Sequence, residues 1–392
     1  MRYVTQIMYY FIILFFINFL RAFVEKAGSF EHFQYLRTKT GIIRGKRAIT
    51  NDMRYKWEFP IKYHVNYPVN ETAIDIALKE LMNETCIKFE KVDNLNESGL
   101  NYVRGGGCIS FVGKISSSRS QDIGLTADCE KAANIQHETL HALGVHHEMS
   151  REDRNKYIEV LTQNVDPRVL FNFEKDPVGK AHAFGFTYDY GSIMHYSKTA
   201  GSIDPNMLAV KAKLDGYINT PGQRVEIGFN DVKLLNYHYC ADKCKESEIK
   251  CDFGGYPDPH NCTRCKCPRF FEGDDCSKVT RSDFACPYSV LFPKDEKQTA
   301  TLKGKMTCTI PIFAPYGKKI EMTLESSNLP GYFNCKPDAG LEIKYLEDKT
   351  VSGPIFCGRN ATGTITSESR YVVMRYIGLE DDNYINLVYS TV

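Results

Sequence analysis

Three histidines, a glutamate and a glycine stand at fixed spacings within eleven residues of this 392-residue chain. The segment reads HETLHALGVHH and runs from His137 to His147. On an α-helix His137 and His141 would lie on one face, because residues four apart are neighbours there. Two neutral imidazole nitrogens on one face can reach one Zn²⁺ ion at about 2.0–2.1 Å. The spacing therefore predicts a metal site on a helix.

The third histidine can share that metal only if the helix ends before it. On a straight helix His147 would lie about 15 Å along the axis from His137. Gly144 stands between them, and glycine accepts the positive φ at which helices commonly end. The sequence therefore predicts a turn at Gly144 that brings His147 back to the metal. We expect His146 to be a packing or surface residue and not a ligand.

Three protein ligands would leave one open coordination position, which is typical of catalytic rather than structural zinc. A water molecule in that position would have its pKa lowered to about 7. Glu138 follows the first ligand and could take a proton from this water and pass it to a leaving group. The pattern thus predicts hydrolysis assisted by one Zn²⁺ per subunit. A helix of ordinary histidines is the simpler alternative, and five matching positions disfavour it.

A second segment, Tyr188–Tyr196, reads YDYGSIMHY. Together with the histidine motif it resembles the astacin family of metzincin zinc endopeptidases. The complete order of pro-segment, protease, EGF-like and CUB-like parts, described below, resembles the nematode type of this family. The resemblance implies that Met194 lies in a turn beneath the metal, although an ordinary core methionine is possible. It also implies that Tyr196 is an extra zinc ligand that can hydrogen-bond the oxyanion. Peptide bonds as substrate follow from the resemblance alone, since the spacing leaves other hydrolyses open.

The N-terminal residues predict export. An apolar run from Ile7 to Leu20 follows Arg2, and its length suits a signal-peptide core better than a membrane span. We expect a signal peptide over residues 1–22 and a secreted, extracellular protein. An uncleaved type II membrane anchor is the alternative, and only then would the protein contact a membrane.

Composition agrees with secretion and disfavours one class of partner. Fourteen cysteines are typical of an oxidising compartment, and their even number allows complete pairing. A formal net charge of +1 gives no electrostatic case for nucleic acid. Five N-x-S/T sequons predict glycosylation at Asn70, Asn83, Asn96, Asn261 and Asn360.

A basic run, Arg44-Gly45-Lys46-Arg47, is either a solvated charge patch or a processing site. Cleavage by a processing protease after Arg47 would remove a pro-segment over residues 23–47 from a zymogen. The astacin resemblance implies a new N-terminus at Ala48, nine residues ahead of Trp57. It also implies that the new amine is buried near Glu148, which would supply the partner that a buried charge needs.

The pro-segment departs from the family pattern. Astacin pro-segments commonly carry an F-x-G-D motif whose aspartate caps the zinc, whereas residues 21–47 contain neither Asp nor Cys. Glu25, Glu31 or His32 could take that role, and nothing in the sequence selects among them. The latency mechanism is therefore open.

Residues 48–240 are predicted to form one α+β catalytic domain. Helical spacing of Ile74, Leu78, Leu81 and Met82 predicts a helix over 72–82. Strands are expected over Cys86–Val92 and Cys108–Val112, and a last helix over Asp231–Tyr237 capped by Asn230. The resemblance implies two lobes around a central zinc-binding helix. It also implies that a strand near Cys108–Lys114 pairs with extended substrate. We expect structural salt bridges from Arg151, Asp153 and Arg154.

Two cysteine-containing modules follow. Residues 241–277 have six cysteines and too little chain for a core, so disulfides must hold them. This part resembles an EGF-like module without the acidic run of the calcium-binding kind, so we expect no calcium there. Residues 286–392 alternate short β-rich runs such as Gly363–Ile365 and Tyr371–Tyr376 with turns. This pattern predicts an all-β sandwich that resembles a CUB domain, with an immunoglobulin-like sandwich as the competitor.

Sequence alone leaves fifteen pairings open for the six cysteines of the EGF-like module. The resemblances imply one pairing for the whole chain: Cys86–Cys240, Cys108–Cys129, Cys244–Cys262, Cys251–Cys265, Cys267–Cys276, Cys286–Cys308 and Cys335–Cys357.

Two functions from different classes follow. The first is a secreted zinc endopeptidase that cleaves extracellular or matrix proteins, with the EGF-like and CUB-like modules positioning it on substrate. The second is a catalytically silent extracellular binding or adhesion protein that uses those modules. A degenerate enzyme would be expected to lose Glu138, a histidine or Tyr196, and all of them are present. The first function is therefore favoured.

Overall fold

The computed structural model describes residues 49–50, 56–177 and 181–392. The expected signal peptide, the pro-segment and the cleavage site between Arg47 and Ala48 lie outside these residues. Within the described ranges, no helix has both the length and the apolar character needed to cross a membrane.

Among the described residues, three α-helices form: α1 (Glu71–Glu84), α2 (Ala132–Ala142) and α3 (Phe229–Tyr239). The side chain of Asn70 caps α1 by accepting the Ala73 N–H at 3.1 Å. Ile74, Leu78 and Leu81 are fully buried along one face of α1. The helix expected over 72–82 is thus confirmed.

The last helix begins earlier than its sequence indicates. Gly228 occupies the cap position of α3, and its N–H donates to a side-chain oxygen of Asp231 at 3.0 Å. The expected cap at Asn230 is wrong, since Asn230 lies inside the helix and neither of its buried amide atoms has a hydrogen-bond partner. An aspartate three residues into the helix competes successfully for the end N–H groups.

The strands of the predicted catalytic domain are β1 (Ile49–Thr50), β2 (Ile61–Val65), β3 (Phe89–Lys91), β4 (Leu100–Arg104), β5 (Gln121–Leu125), β6 (Ile158–Val160), β7 (Ala181–His182) and β8 (Val210–Ala212). Four of them form a parallel sheet in the order β3-β2-β4-β5. The core beside this sheet combines its apolar residues and those of α1 and α2 with Ile193 and Met194. Strand β1 pairs with β7, and β6 pairs with β8.

The expected strand over Cys108–Val112 does not form. Ile109 makes a single antiparallel bridge to Gly124 on β5, with backbone hydrogen bonds of 3.0 and 2.9 Å. Gly113 then takes a positive φ of 80° and donates its N–H to the His141 carbonyl, which turns the chain away from the sheet. The segment is therefore an irregular edge beside β5.

Two further modules follow. Residues 241–277, which were predicted to form an EGF-like module, contain β9 (Tyr256–Asp258), β10 (Asn261–Lys266) and β11 (Phe271–Glu272), and β11 pairs with β12 (Lys278–Val279). Residues 286–392, which were predicted to form a CUB-like sandwich, contain the strands β13 (Gln298–Lys303), β14 (Met306–Phe313), β15 (Ile320–Asn328), β16 (Gly340–Lys344), β17 (Ile355–Phe356), β18 (Gly363–Thr366), β19 (Tyr371–Gly378) and β20 (Tyr384–Thr391). These strands form two antiparallel four-stranded sheets, in the orders β13-β20-β15-β18 and β14-β19-β16-β17.

All fourteen cysteines are paired, and the seven disulfides join the cysteines that the resemblances implied. Cys86–Cys240 closes the catalytic domain over 154 residues, which ties the end of α1 to the end of α3. Such a long closed loop restricts the unfolded chain strongly.

Candidate metal centre

Helix α2 and the turn after it bring three histidines together. His137 and His141 lie one turn apart on α2, both buried, with ring centroids 4.8 Å apart. Helix α2 ends at Ala142, and Gly144 takes a φ of 98° as its position predicts. The reversal places His147 Nε2 at 3.0 Å from His141 Nε2. The ligand atoms of all three histidines lie within 4.8 Å of one another.

Backbone carbonyls orient two of the rings. His137 Nδ1 donates to the Ile193 carbonyl at 2.8 Å, and His141 Nδ1 donates to the Val145 carbonyl at 2.8 Å. With its proton on Nδ1, each ring keeps a lone pair on Nε2. Such hydrogen bonds are the usual way in which proteins orient histidine ligands toward a metal.

The surroundings of the three histidines favour their neutral form. Burial lowers the pKa of His141 to about 4 and drives the pKa values of His137 and His147 well below the ordinary value. The positive charge of Arg224 lowers all three further. A neutral imidazole is the form that binds a metal, so no proton has to be displaced near pH 7.

The cluster fits Zn²⁺ by donor type and by distance. Tetrahedral zinc with bonds of about 2.0–2.1 Å holds its nitrogen ligands about 3.3 Å apart. The His141–His147 nitrogen separation of 3.0 Å is close to that value. Three protein donors leave a position for water or substrate, as in catalytic zinc sites.

Three further side chains that the sequence singled out lie around this cluster. Glu138 is buried on α2 beside His137, with 5% of its surface exposed. The ring of Tyr196 packs against His147, with 4.4 Å between centroids. Met194 is buried, and its carbonyl accepts the Glu148 N–H at 3.0 Å. The turn containing Met194 therefore lies against His137, through Ile193, and against the residue that follows His147.

Asp231, which the sequence analysis missed, holds this turn. One of its carboxylate oxygens accepts the Ser192 hydroxyl at 2.6 Å. The other accepts the Ile193 N–H at 2.9 Å and the Gly228 N–H at 3.0 Å. Asp231 lies 84 residues from His147 in sequence, so no local spacing could have linked it to the metal site.

Replacing Asp231 with alanine is expected to lower the free energy of unfolding by about 3 kcal/mol or more. The change leaves two buried N–H groups and one hydroxyl unpaired, and each such group costs about 1–3 kcal/mol. Denaturant unfolding of the processed protein measures the effect. Asp231→Asn is the matched control, because an amide keeps an acceptor oxygen for the two N–H groups, and its loss should be smaller.

The difference in free energy of unfolding between wild type and Asp231→Asn should depend on pH, because only the wild type has a titratable carboxyl group at residue 231. Burial raises the pKa of Asp231 to about 7, so the folded protein binds a proton that the unfolded chain releases near pH 4. Proton binding by Asp231 therefore stabilises the folded state at low pH, and this stabilisation is lost as the pH rises from about 4 to about 7. The stability advantage of wild type over Asp231→Asn should therefore shrink across that window, and a growing advantage would contradict the assignment.

A buried ion-pair network follows the third histidine. Glu148 accepts Arg151 Nη1 at 3.0 Å and the Asp189 N–H at 2.9 Å. Arg151 also makes two 3.0 Å hydrogen bonds to Asp153, so the salt bridges expected of these two residues are confirmed. Arg154 instead donates to a backbone oxygen, the Met149 carbonyl, at 2.8 Å. Burial raises the pKa of Glu148, and Arg151 opposes that rise.

Two other polar residues lie near the centre. His146 is buried with its Nδ1 3.5 Å from a carboxylate oxygen of Asp176, and it lies outside the three-histidine cluster. Arg224 donates to the His195 carbonyl at 3.1 Å, and the sequence analysis did not identify it. Arg224 has no motif of its own, so only its place in the fold reveals its electrostatic effect on the histidines.

A helix carrying H-E-x-x-H, a glycine turn, a third histidine and a methionine turn define the metzincin class of zinc-dependent hydrolases. The model of the peptidase family Astacin matches residues 49–240. The chain is 30% identical over 336 residues to zinc metalloproteinase nas-27 of Caenorhabditis elegans, covering 80% of this chain and 78% of that protein. The chain therefore belongs to the astacin family. The α+β catalytic fold followed by EGF-like and CUB-like modules agrees with this assignment.

Other relatives are longer than this chain. Zinc metalloproteinase nas-34 of C. elegans is 33% identical over 358 residues, which cover 89% of this chain and 58% of that protein. Zinc metalloproteinase dpy-31 of Haemonchus contortus is 36% identical over 331 residues, which cover 79% of this chain and 58% of that protein. The chain thus spans little more than half of either. Among solved structures, high choriolytic enzyme 1 from Oryzias latipes is 28% identical, covering 47% of this chain and 94% of that one, with a TM-score of 0.43.

Proposed function

We propose that this chain is a secreted zinc-dependent endopeptidase that cleaves peptide bonds in extracellular or matrix proteins. The observation that carries the proposal is the cluster of three histidines, of which His137 and His141 are buried and His147 is partly buried, with Glu138 on helix α2 beside His137. Family membership agrees with it. The proposed zinc ligands are His137, His141 and His147, with Tyr196 as an additional one.

The proposed chemistry divides among the residues around the cluster. When bound, zinc polarises a carbonyl and lowers the pKa of water. Glu138 takes a proton from the attacking water and returns it to the leaving amine. The Tyr196 hydroxyl donates a hydrogen bond to the developing oxyanion. His137 and His141 stay oriented throughout because their Nδ1 protons remain bound to backbone carbonyls.

We further propose that extended substrate lies along the irregular edge beside β5. Ile109 is joined to β5 by one bridge only, and the next residues, Ser110 and Phe111, are partly exposed. Gly113 connects this edge to the His141 carbonyl. A peptide that pairs with this edge by strand addition would pass close to the histidines.

Processing after Arg47 is proposed to complete the domain. Strand β1 lies beside the glycine turn, with the Thr50 N–H donating to the Gly144 carbonyl at 2.9 Å. A small cavity lined by Glu148, Asp189 and Asn230 lies next to that turn. An amine at Ala48 would find in Glu148 the buried carboxylate partner that it needs.

Together with the endopeptidase function we propose that the protein is secreted, that it is glycosylated and that it has three domains. Seven disulfides suit an oxidising compartment. The five sequon asparagines are all exposed. We assign residues 48–240 to the catalytic domain, 241–277 to the EGF-like module and 286–392 to the CUB-like sandwich.

Removal of metal tests the proposal. The chain without residues 1–47 is expected to cleave a denatured generic protein, to lose this activity after dialysis against a chelator, and to regain it with one equivalent of Zn²⁺. We expect this because three imidazoles would hold one Zn²⁺ ion and leave one of its coordination positions open for the reacting groups. Cleavage that survives complete removal of metal would contradict the proposal. Absence of any zinc-dependent cleavage would favour a silent binding protein.

A further inference from the structure

The CUB-like sandwich contacts the catalytic domain at the segment that leads into the methionine turn. The loop between β16 and β17, residues 345–354, supplies the contact. The Ser352 N–H donates to an Asp189 carboxylate oxygen at 3.1 Å, and the same oxygen accepts the Gly191 N–H at 2.9 Å. Asp189 is 2% exposed. One buried carboxylate therefore binds the backbone of both modules.

Asp189 is also linked to the proposed metal centre, through Glu148. Its N–H donates to Glu148 at 2.9 Å, and the Glu148 N–H donates to the Met194 carbonyl at 3.0 Å. Glu148 follows His147 in the chain. Two residues, Asp189 and Glu148, thus separate Ser352 of the CUB-like sandwich from a proposed zinc ligand.

The contact around Ser352 is buried and hydrogen-bonded on both sides. The Tyr217 hydroxyl donates to the Ser352 carbonyl at 2.9 Å, and the Ile355 N–H donates to the Thr220 hydroxyl at 2.9 Å. Tyr217 and Thr220 are 1% and 0% exposed. Tyr190, beside Asp189, stacks on Tyr217 with 4.3 Å between ring centroids. Tyr190 and Tyr217 belong to one buried apolar cluster with the core residues of the sandwich. Contacts between domains are usually more polar than this.

A charge cluster fixes the loop itself and joins all three modules. Glu342 of β16 is 3% exposed and accepts the Gly353 N–H at 2.9 Å. Arg269 of the EGF-like module lies 3.2 Å from Glu342, pairs with Glu226 of the catalytic domain and donates to the Pro337 carbonyl at 2.7 Å. A buried carboxylate is tolerated when it is paired in this way. The EGF-like module therefore supports the conformation of the loop at residues 345–354.

We propose that residues 351–354 of the CUB-like sandwich are a positioning element of the active site. The loop holds Asp189 and Gly191, and through Glu148 it fixes the third histidine and the methionine turn relative to helix α2. The sandwich is then an internal support of catalysis in addition to any role in contacting other molecules. This inference rests on the proposed endopeptidase function.

A substitution at Gly191 can break this contact without a conflict inside the catalytic domain. A β-carbon at residue 191 would lie 2.3 Å from Ser352 Oγ and 2.5 Å from Ser352 Cβ. Its next nearest neighbour is an Asp189 oxygen at 3.5 Å, an ordinary contact. Gly191→Ala therefore pushes against Ser352. Ser352→Gly removes both conflicting atoms, and with them the hydrogen bond from the Ser352 side chain to Asp189. It keeps the backbone N–H that bonds Asp189.

Three variants of the processed full chain test the proposal: Gly191→Ala, Ser352→Gly and the double variant. Gly191→Ala is expected to lower kcat about tenfold or more with KM and zinc content nearly unchanged, because a misplacement of 1 Å can lower a rate about 100-fold. The double variant is expected to recover most of the kcat that Gly191→Ala loses. Ser352→Gly alone should lower kcat less than Gly191→Ala does, because it keeps the backbone N–H that bonds Asp189. If Gly191→Ala disturbed the catalytic domain alone, removing the Ser352 side chain from the sandwich would not restore activity.

Hydrogen exchange of residues 188–196 gives a readout that does not depend on activity. Exchange there should be faster in Gly191→Ala and return to the wild-type rate in the double variant. Equal exchange and equal kcat in all variants would overturn the proposal, as would a Gly191→Ala defect that Ser352→Gly does not relieve. If wild type shows no zinc-dependent cleavage, the endopeptidase assignment fails, and the exchange comparison still decides whether the loop holds this segment.

Discussion

Replacing Glu138 with glutamine is expected to lower kcat/KM of the processed protein by about 10²–10⁴-fold, the range that a positioned general acid–base supplies. Glutamine is nearly the same size as glutamate, and it cannot accept a proton at neutral pH. The buried position on α2 should tolerate it, and the three histidines are untouched. Steady-state cleavage of a peptide, measured beside zinc content, separates lost proton transfer from lost metal.

Glu97→Gln is the matched control. Glu97 is an exposed residue whose carboxylate pairs with Lys62 on the surface, and the same chemical change there should leave kcat/KM unaltered. A Glu138→Gln protein that holds one zinc and cleaves at the wild-type rate would remove the proposed base from the mechanism.

Replacing His141 with alanine is expected to abolish both zinc binding and cleavage. Changes to the outer partners of zinc ligands alone lower affinity or activity 10–100-fold, so loss of a ligand should exceed about 100-fold. The change also leaves the Val145 carbonyl without its imidazole donor. Zinc titration followed by a cleavage assay measures both losses.

His146→Ala is the matched control for this loss, because it removes another buried histidine from the same segment. His146 lies near Asp176 and outside the cluster, so its variant should keep zinc and activity. Equal zinc loss in the two variants would mean that the segment unfolds generally and that the ligand assignment is unsupported.

The parts of the site that the sequence predicted are those encoded by local spacing. An i, i+4 pair of histidines on a helix and a glycine with positive φ at its end are consequences of backbone geometry. Both are present in the structure, at His137, His141 and Gly144. The apolar face of α1 was predictable for the same reason, since its period is that of a helix.

The parts that were not predictable depend on contacts between distant segments. Asp231 is an ordinary helix-start carboxylate in sequence, and only the fold brings it to Ser192. The edge at Ile109 has strand-forming composition, but Gly113 directs its backbone to α2 instead of the sheet. The docking of Ser352 on Asp189 joins residues 163 apart, and no local pattern reports such a pair.

X-ray absorption at the zinc edge of the processed full chain identifies the atoms that bind the metal. We expect one zinc per chain with three imidazole nitrogens at about 2.0–2.1 Å and the remaining positions filled by oxygen. Alanine at residue 137, 141 or 147 should change this spectrum, while alanine at residue 146 should not. The proposed zinc centre would be wrong if the protein takes up no zinc, or if it holds zinc through sulfur or through fewer than three imidazoles.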